Sequence, residues 1–240
     1  MAPQVLFIHN EHMATEGLLG EAFTECGYQV TTFEVVPADR VDDPVGEVAF
    51  PDPAGYDVVV PLGARWPVYD EALRQTWVGA EMQMLRDAAD AGVPTLGVCF
   101  GGQLLAQAFG GTVARSTEPE IGWYEVASDD EDLIPGGSWF EWHFDTWTLP
   151  PGATEIARTA NASQAFVLGR ALGLQFHPEV DHALLDVWLS DDRNGEVASV
   201  GLTHDELRSA TRHFENDAAR RIRALVRGFL SRVARQPCPS

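Results

Sequence analysis

Pro94-Thr-Leu-Gly-Val-Cys99-Phe-Gly-Gly-Gln103 is the stretch from which the rest of the chain is best read. Pro94 to Val98 is a short apolar run typical of a buried strand, and Gly101 to Phe109 has helical spacing closed by Gly110-Gly111. Between them, Gly97-Val98-Cys99-Phe100-Gly101 places small residues two before and two after a cysteine. That spacing permits a sharp strand-to-helix turn that projects the central side chain. A cysteine there meets the positive end of the helix dipole, which favours the reactive thiolate, and the unpaired N–H of Phe100 is free to bind an oxyanion. Taken alone, the pentapeptide fits a buried structural cysteine at a strand end equally well.

A second signal changes that balance. Leu174-Gln-Phe-His177-Pro-Glu179 follows another apolar strand, and Pro178 fixes the strand end because it cannot donate to a ladder. Residues two apart in an extended chain point the same way, so His177 and Glu179 project to one side, where the carboxylate can orient the imidazole. A strand-end histidine is by itself usually a satisfied structural residue. Together with the Cys99 elbow it reads as the base of a nucleophilic site, with Glu179 as its orienter.

Outward from these points the chain alternates strand and helix. Gln4 to Ile8 reads as a strand, Thr15 to Cys26 as a helix, Tyr28 to Val36 and Tyr56 to Val60 as further strands, with the Pro- and Asp-rich stretch from Pro37 to Pro53 as a surface connection. A loop runs from Pro61 to Tyr69, and one helix is expected from Asp70 to Ala91, stopping at Gly92. Thr112 to Phe176 reads as short, mostly antiparallel strands. Helices return at Asp181 to Leu189 and Asp205 to Ala234, the latter opened by a capping box over Thr203-His-Asp-Glu206, and the tail from Gln236 to Ser240 is expected to fray. No repeat or linker interrupts this pattern, so one domain is expected over 1–240, with a core of about 4–190 and a helical extension from 191 to 240.

Composition excludes some functions. Sixteen basic against thirty-six acidic residues give a formal net charge of −20, which repels nucleic acid and anionic membrane surfaces. Every basic residue is an arginine, so there is no P-loop lysine, and any ATP-consuming step is expected in another protein. Genomic base bias or a salty habitat accounts for that composition as well as any function does. The start, MAPQVLFIHNEH, has neither the charge nor the apolar length of a signal peptide or membrane span, so a cytoplasmic protein is expected. Cys26, Cys99 and Cys238 have no metal-ligand spacing and form no disulfide framework, so each is read singly. The arginines at 220, 221, 223 and 227 are expected to face water along the last helix.

The two motifs, Pro94 to Gln103 and His177-Pro178-Glu179, resemble the signatures of class I glutamine amidotransferases, and the resemblance covers about 4–190. Val68-Tyr-Asp70, Glu120-Ile-Gly-Trp123, Trp142-His-Phe-Asp145, Ala165-Phe166 and Arg170 to Glu179 resemble stand-alone members related to the glutaminase domain of GMP synthase. The resemblance implies an α/β fold with a flavodoxin-like open mixed sheet, mostly parallel, flanked by helices and carrying a small antiparallel portion. It implies Cys99, His177 and Glu179 as the catalytic residues, backbone N–H groups of Phe100 and Ala64 as the oxyanion hole, and no metal or cofactor. Gln103, Gly63, Arg65, His143 and Phe144 fall on the substrate side, where Gln103 is as readily a packing residue. Arg65 could grip a substrate carboxylate or simply be a solvated loop arginine, and His143 with Asp145 reads more readily as a structural hydrogen-bonded pair. Of the tryptophans, Trp123, Trp142 and Trp147 could line a cleft, but alternating strand aromatics are more often core.

Two departures stand out. Leu62-Gly63-Ala64-Arg65-Trp66-Pro67 replaces a Gly-Gly-Pro loop, and alanine takes a positive φ less cheaply than glycine, so the resemblance leaves open whether the second oxyanion donor is preformed. Phe144 stands where relatives often have glycine and narrows or re-aims the pocket. The expected activity is release of ammonia from glutamine through a Cys99 thioester, for a separate ammonia-accepting synthetase. A γ-glutamyl peptidase acting on γ-glutamyl amides and a non-catalytic regulatory or binding protein on the same scaffold are the alternatives.

Overall fold

A computed structural model describes residues 2–192, 194–236 and 238. Its first half is a run of β1 (Gln4–His9), α1 (Gly17–Glu25), β2 (Gln29–Glu34), β3 (Val58–Pro61), α2 (Glu71–Arg74), α3 (Trp77–Asp90), β4 (Thr95–Val98) and α4 (Phe100–Ala108). Then come β5 (Val113–Ser128), β6 (Gly137–Trp147), β7 (Thr154–Arg158), β8 (Ser163–Leu168) and β9 (Ala171–Leu174), and finally α5 (His182–Ser190), α6 (Glu196–Ser199) and α7 (His204–Gly228). The strands join one sheet in the order β2-β1-β3-β4-β9-β8-β7-β5-β6. Pairing is parallel from β2 through β1, β3 and β4 to β9, and antiparallel from β9 onward to β6. This is the expected flavodoxin-like mixed sheet, and the carboxyl ends of its parallel strands open the crevice where such sheets bind ligands.

Period-two alternation sends neighbouring strand residues to opposite faces. Val5, Phe7, Val58 and Val60 enter the core beneath α1 and α7, while Leu6, Ile8 and Val59 enter the core beneath α3 and α4. A third cluster packs Ile121 and Phe140 of the β5–β6 ribbon against Leu184, Leu185 and Leu189 of α5. Those two ribbon strands have 16 and 11 residues, longer than the short strands expected.

The single helix expected over Asp70 to Ala91 is two. Asp70 caps the first turn by accepting from Leu73 N–H at 3.0 Å, and the Thr76 hydroxyl bonds back to the Ala72 and Leu73 carbonyls, competing with the continuing ladder. Thr76 leaves helical geometry at φ −125°, ψ −123°, and α3 starts afresh at Trp77.

At the C-terminus the Thr203–Glu206 capping box forms as expected. Arg221, however, is not a water-facing arginine: its guanidinium sits 5.4 Å above the Trp139 ring and donates to the Ser138 carbonyl. The aromatic face and the carbonyl reward a half-buried cation there. Arg223 pairs with Glu25 of α1 at 2.9 Å.

The cysteines also need correction, because Cys26 and Cys238 form a disulfide, with their Cα atoms 4.9 Å apart. Gln236 accepts from the Tyr28 hydroxyl at 2.9 Å, so the described part of the tail is tied down rather than frayed; residues 237, 239 and 240 lie outside the described residues. The pairing links positions 212 residues apart. Chain entropy alone then gives a ceiling of about 5 kcal/mol. Cys26→Ser, or reduction of the wild type, is expected to lower the urea midpoint; an unchanged midpoint would show that the bond contributes nothing.

Candidate active site

Cys99 sits at the turn between β4 and α4 with φ +51° and ψ −107°, a strained backbone for a non-glycine residue. The surroundings enforce it. A Cβ on Gly97 would come within 2.5 Å of the Gly101 carbonyl oxygen, and one on Gly101 would meet the Pro61 carbonyl carbon at 2.6 Å. Only hydrogen fits at either position. Cys99 N–H donates to the Leu174 carbonyl at 2.8 Å, which pins the elbow to β9.

His177 arrives from the segment after β9, anchored by its N–H to the Phe140 carbonyl at 2.8 Å. Its Nδ1 lies 2.7 Å from Glu179 Oε1, both side chains being almost completely buried. Burial works against the imidazolium, but the Glu179 carboxylate and the neighbouring Cys99 outweigh it and hold His177 well above its ordinary range. The site thus favours a charged imidazole beside Cys99, with a carboxylate behind it. Trp188 of α5 lies edge-on to the imidazole at 4.9 Å, excluding water from one side of the ring.

The structure places the other expected residues as follows. Gly63 packs against the pair: a Cβ there would lie 3.1 Å from His177 Cε1 and 3.9 Å from Cys99 Cβ. Ala64 has no positive φ, since Cys99 and Arg235 are the described non-glycine residues that do, so the substitution for glycine carries no backbone strain. Among the described residues, neither Ala64 N–H nor Phe100 N–H donates to a protein acceptor. Gln103 is buried and donates to the Asp145 carbonyl at 3.4 Å and to Gln175 Oε1 at 3.3 Å; Gln175 in turn approaches Cys99 Sγ at 3.7 Å. Arg65 is an exposed loop residue but not a free one: it bridges Glu11 at 2.6 Å and Asp191 at 2.7 Å, all three lining the pocket. Phe144 lines the pocket with Arg115 4.4 Å above its ring.

His143 and Asp145 are hydrogen-bonded, as expected of a structural pair, but through the Asp145 backbone. His143 Nδ1 bonds the Asp145 backbone carbonyl at 3.0 Å, while the Asp145 carboxylate accepts from Tyr69. Its Nε2 lies 3.1 Å from Glu120 and 3.5 Å from Glu141, all three side chains being buried. This trio has the residue types of a metal site. Glu120 Oε2 already accepts from Gln164 at 2.7 Å and Thr159 at 3.2 Å, and Oε1 from Asn161 at 3.3 Å, so N–H and O–H protons occupy its lone pairs. Burial and the neighbouring Glu120 hold Glu141 well above the carboxylate range, so the cluster shares protons rather than presenting two anions to a cation.

The cavity measures about 690 Å³, within the range of small-molecule sites. Trp142 lines it, whereas Trp147 is core and Trp123 is half-buried with its indole N–H on Thr211. The sequence reading missed Trp188, Glu11 and Asp191, which line the pocket from segments with no catalytic motif.

An open α/β sheet that presents a cysteine on a strained elbow against a carboxylate-oriented imidazole is the arrangement of a thiol hydrolase. Residues 18–191 match the family model for glutamine amidotransferase class I, and the chain belongs to that family. It is 40% identical over 164 residues to a subunit of the glutamine-hydrolyzing GMP synthase of Saccharolobus solfataricus, covering 65% of this chain and 80% of that protein. It is 38% identical over 172 residues to the glutamine-hydrolyzing GMP synthase of Aeropyrum pernix, covering 65% of this chain but only 31% of that one. The chain therefore spans less than a third of that relative's length. Among solved structures, a glutamine amidotransferase from Thermotoga maritima superposes with a TM-score of 0.81 at 26% identity, over 96% of this chain and 99% of that one. Family membership makes this chain an enzyme domain of the cysteine-hydrolase type.

Proposed function

We propose that the chain hydrolyses the side-chain amide of glutamine through a γ-glutamyl thioester on Cys99. The observation that carries this reading is the buried His177–Glu179 pair, 2.7 Å apart, set beside Cys99 with Gly63 packed against both His177 and Cys99. Cys99 Sγ adds to the carboxamide carbon, and the N–H groups of Phe100 and Ala64 receive the oxyanion. His177 gives its proton to the departing ammonia, then takes one from water, which adds to the thioester and releases glutamate. Glu179 stabilises the imidazolium whenever His177 carries the proton and holds the neutral ring's orientation between the two transfers. Gly63 and Gln103 form the floor and wall for the glutamyl chain, and Phe144 forms the wall on the leaving-group side; Arg65 and His143 act from their own ion-pair and hydrogen-bond clusters.

The ammonia acceptor in this reading is a separate synthetase, since the Saccharolobus relative is by name one subunit of a GMP synthase. The chain acts as one domain, with α7 and the disulfide holding the C-terminal extension on α1. A cytoplasmic site of action is part of this reading, and the redox state of Cys26 and Cys238 in cells tests it, since a pair oxidised in cells argues against that compartment.

A γ-glutamyl peptidase is the second reading, favoured by the cavity of about 690 Å³ and its aromatic wall at Phe144. Glutamate release from glutamine and from glutathione, with wild type and Cys99→Ala, separates the two. Glutamine turnover that disappears in Cys99→Ala supports the ammonia donor. Glutathione cleavage without glutamine turnover moves the assignment to the peptidase, and glutamine turnover that survives Cys99→Ala overturns both.

A further inference from the structure

Gln175 sits two residues before His177, fully buried, between Leu174 and Phe176, which pack into the core. Its backbone N–H donates to the Gln164 carbonyl at 2.9 Å, so the chain is still held extended there. Residues two apart in an extended chain face the same way, and the segment that carries the base therefore also turns Gln175 toward the elbow. Its Nε2 donates to Cys99 Sγ at 3.7 Å. The Trp142 carbonyl also lies 3.9 Å from that sulfur; it can take a hydrogen bond from a thiol but can give none.

A primary amide can turn either its oxygen or its nitrogen to a neighbour, and the surrounding network decides which. Gln103 makes that decision from one helical turn beyond Cys99, where its backbone N–H donates to the Cys99 carbonyl at 2.9 Å. Its Nε2 donates to the Asp145 carbonyl at 3.4 Å and to Gln175 Oε1 at 3.3 Å. A backbone carbonyl only accepts, so Gln103 must present its nitrogen to Asp145, and the second proton of that nitrogen goes to Gln175 Oε1. With its oxygen drawn to Gln103, Gln175 is left with its N–H group facing the sulfur.

We propose that Gln175 is a catalytic residue of the thioester site: its amide N–H hydrogen-bonds the Cys99 sulfur and holds it, electron-rich, for attack, while Gln103 is the positioning residue that keeps that amide facing the sulfur. The inference rests on the glutaminase reading for turnover; the arrangement around the sulfur is the same whichever amide is cleaved. A donor beside the sulfur offsets the Trp142 carbonyl, which alone would keep the thiol proton directed at itself and away from His177. The Gln175 proton stays on its amide and the Cys99 proton goes to His177, so Gln175 adds no step of its own.

Cys26 and Cys238 are joined, so Cys99 is the free thiol of the chain and its alkylation by iodoacetamide can be followed directly. Gln175→Met keeps the length and packing of the side chain without the donor. Gln175→Glu keeps its shape but, ionised at alkaline pH, presents oxygen to the sulfur. In the full chain at alkaline pH, alkylation and kcat/KM for glutamine are each expected to fall about 10-fold in Gln175→Met and further in Gln175→Glu, with urea midpoints reporting that both are folded. A glutamine that only fills space gives the opposite order, because glutamate matches its shape better than methionine does. That order overturns the proposal, as does wild-type alkylation in Gln175→Met. Gln103→Met frees the Gln175 amide to turn and is expected to slow alkylation about threefold. Should the Gln175 variants fail to fold, Gln103→Met decides, and alkylation there at the wild-type rate overturns the proposal. If wild type turns over neither glutamine nor a γ-glutamyl peptide, the glutaminase reading fails while the order of alkylation rates still decides the role of Gln175.

Discussion

Glu179→Gln is expected to lower glutamine turnover by about 10³–10⁴-fold while the protein stays folded. Glu179 Oε1 lies 2.7 Å from His177 Nδ1 with both side chains almost completely buried, so it fixes the ring's tautomer and balances the charge that forms on it. An amide in its place can present an N–H to Nδ1, which forces the proton to the other nitrogen and takes the base away from Cys99. The same change withdraws the Glu179 carboxylate, which together with Cys99 holds His177 above its ordinary value of 6.5 against the opposing effect of burial. A raised histidine pKa contributes stability that is present below the unfolded value and lost as pH rises through the folded one. The variant therefore loses more stability at pH 6 than at pH values above the raised pKa, a pattern that urea midpoints at the two extremes would show. Equal losses at both would mean that Glu179 does not hold the histidine charged.

Gly101→Ala is expected to cost about 3 kcal/mol or more in stability and over about 10²-fold in turnover. The added carbon meets the Pro61 carbonyl carbon at 2.6 Å and Pro61 Cβ at 3.0 Å, atoms at the end of β3 that no side-chain rotation can move aside. Relief requires α4 and the end of β3 to separate. That displaces Cys99 on one side and the Leu62-Gly63 backbone on the other, the two groups that must stay in register for the oxyanion. Gly97→Ala strikes the Gly101 carbonyl oxygen at 2.5 Å and belongs to the same class. Gly55→Ala serves as the control, because nothing lies within 4 Å of its added carbon and its backbone has no positive φ. Thermal unfolding and kcat of the three variants check the prediction; a wild-type-like Gly101→Ala would show that the elbow tolerates slack.

The features legible in the sequence were those whose chemistry is local. The elbow depends on glycines two positions either side of Cys99, and Glu179 lies two residues from His177, so each spacing is visible and the two together separate this site from a structural cysteine and a strand-end histidine. The parallel half of the sheet was legible because short apolar strands alternate with helices and are punctuated by glycine. The disulfide was not legible, because Cys26 and Cys238 are brought together only when α7 folds back over α1. Trp188 reaches His177 from α5 without any motif of its own. The break at Thr76 was hidden because hydrophobic periodicity continues across it, and only hydroxyl-to-carbonyl bonding reveals it.

The proposed function stands on a γ-glutamyl thioester at Cys99. Protein turning over glutamine, quenched rapidly in acid and digested, would be weighed peptide by peptide. One γ-glutamyl group is expected on the peptide containing Cys99, discharged by hydroxylamine and absent from Cys99→Ala. Steady glutamate release with no adduct on that peptide, or with an adduct on another residue, would contradict it.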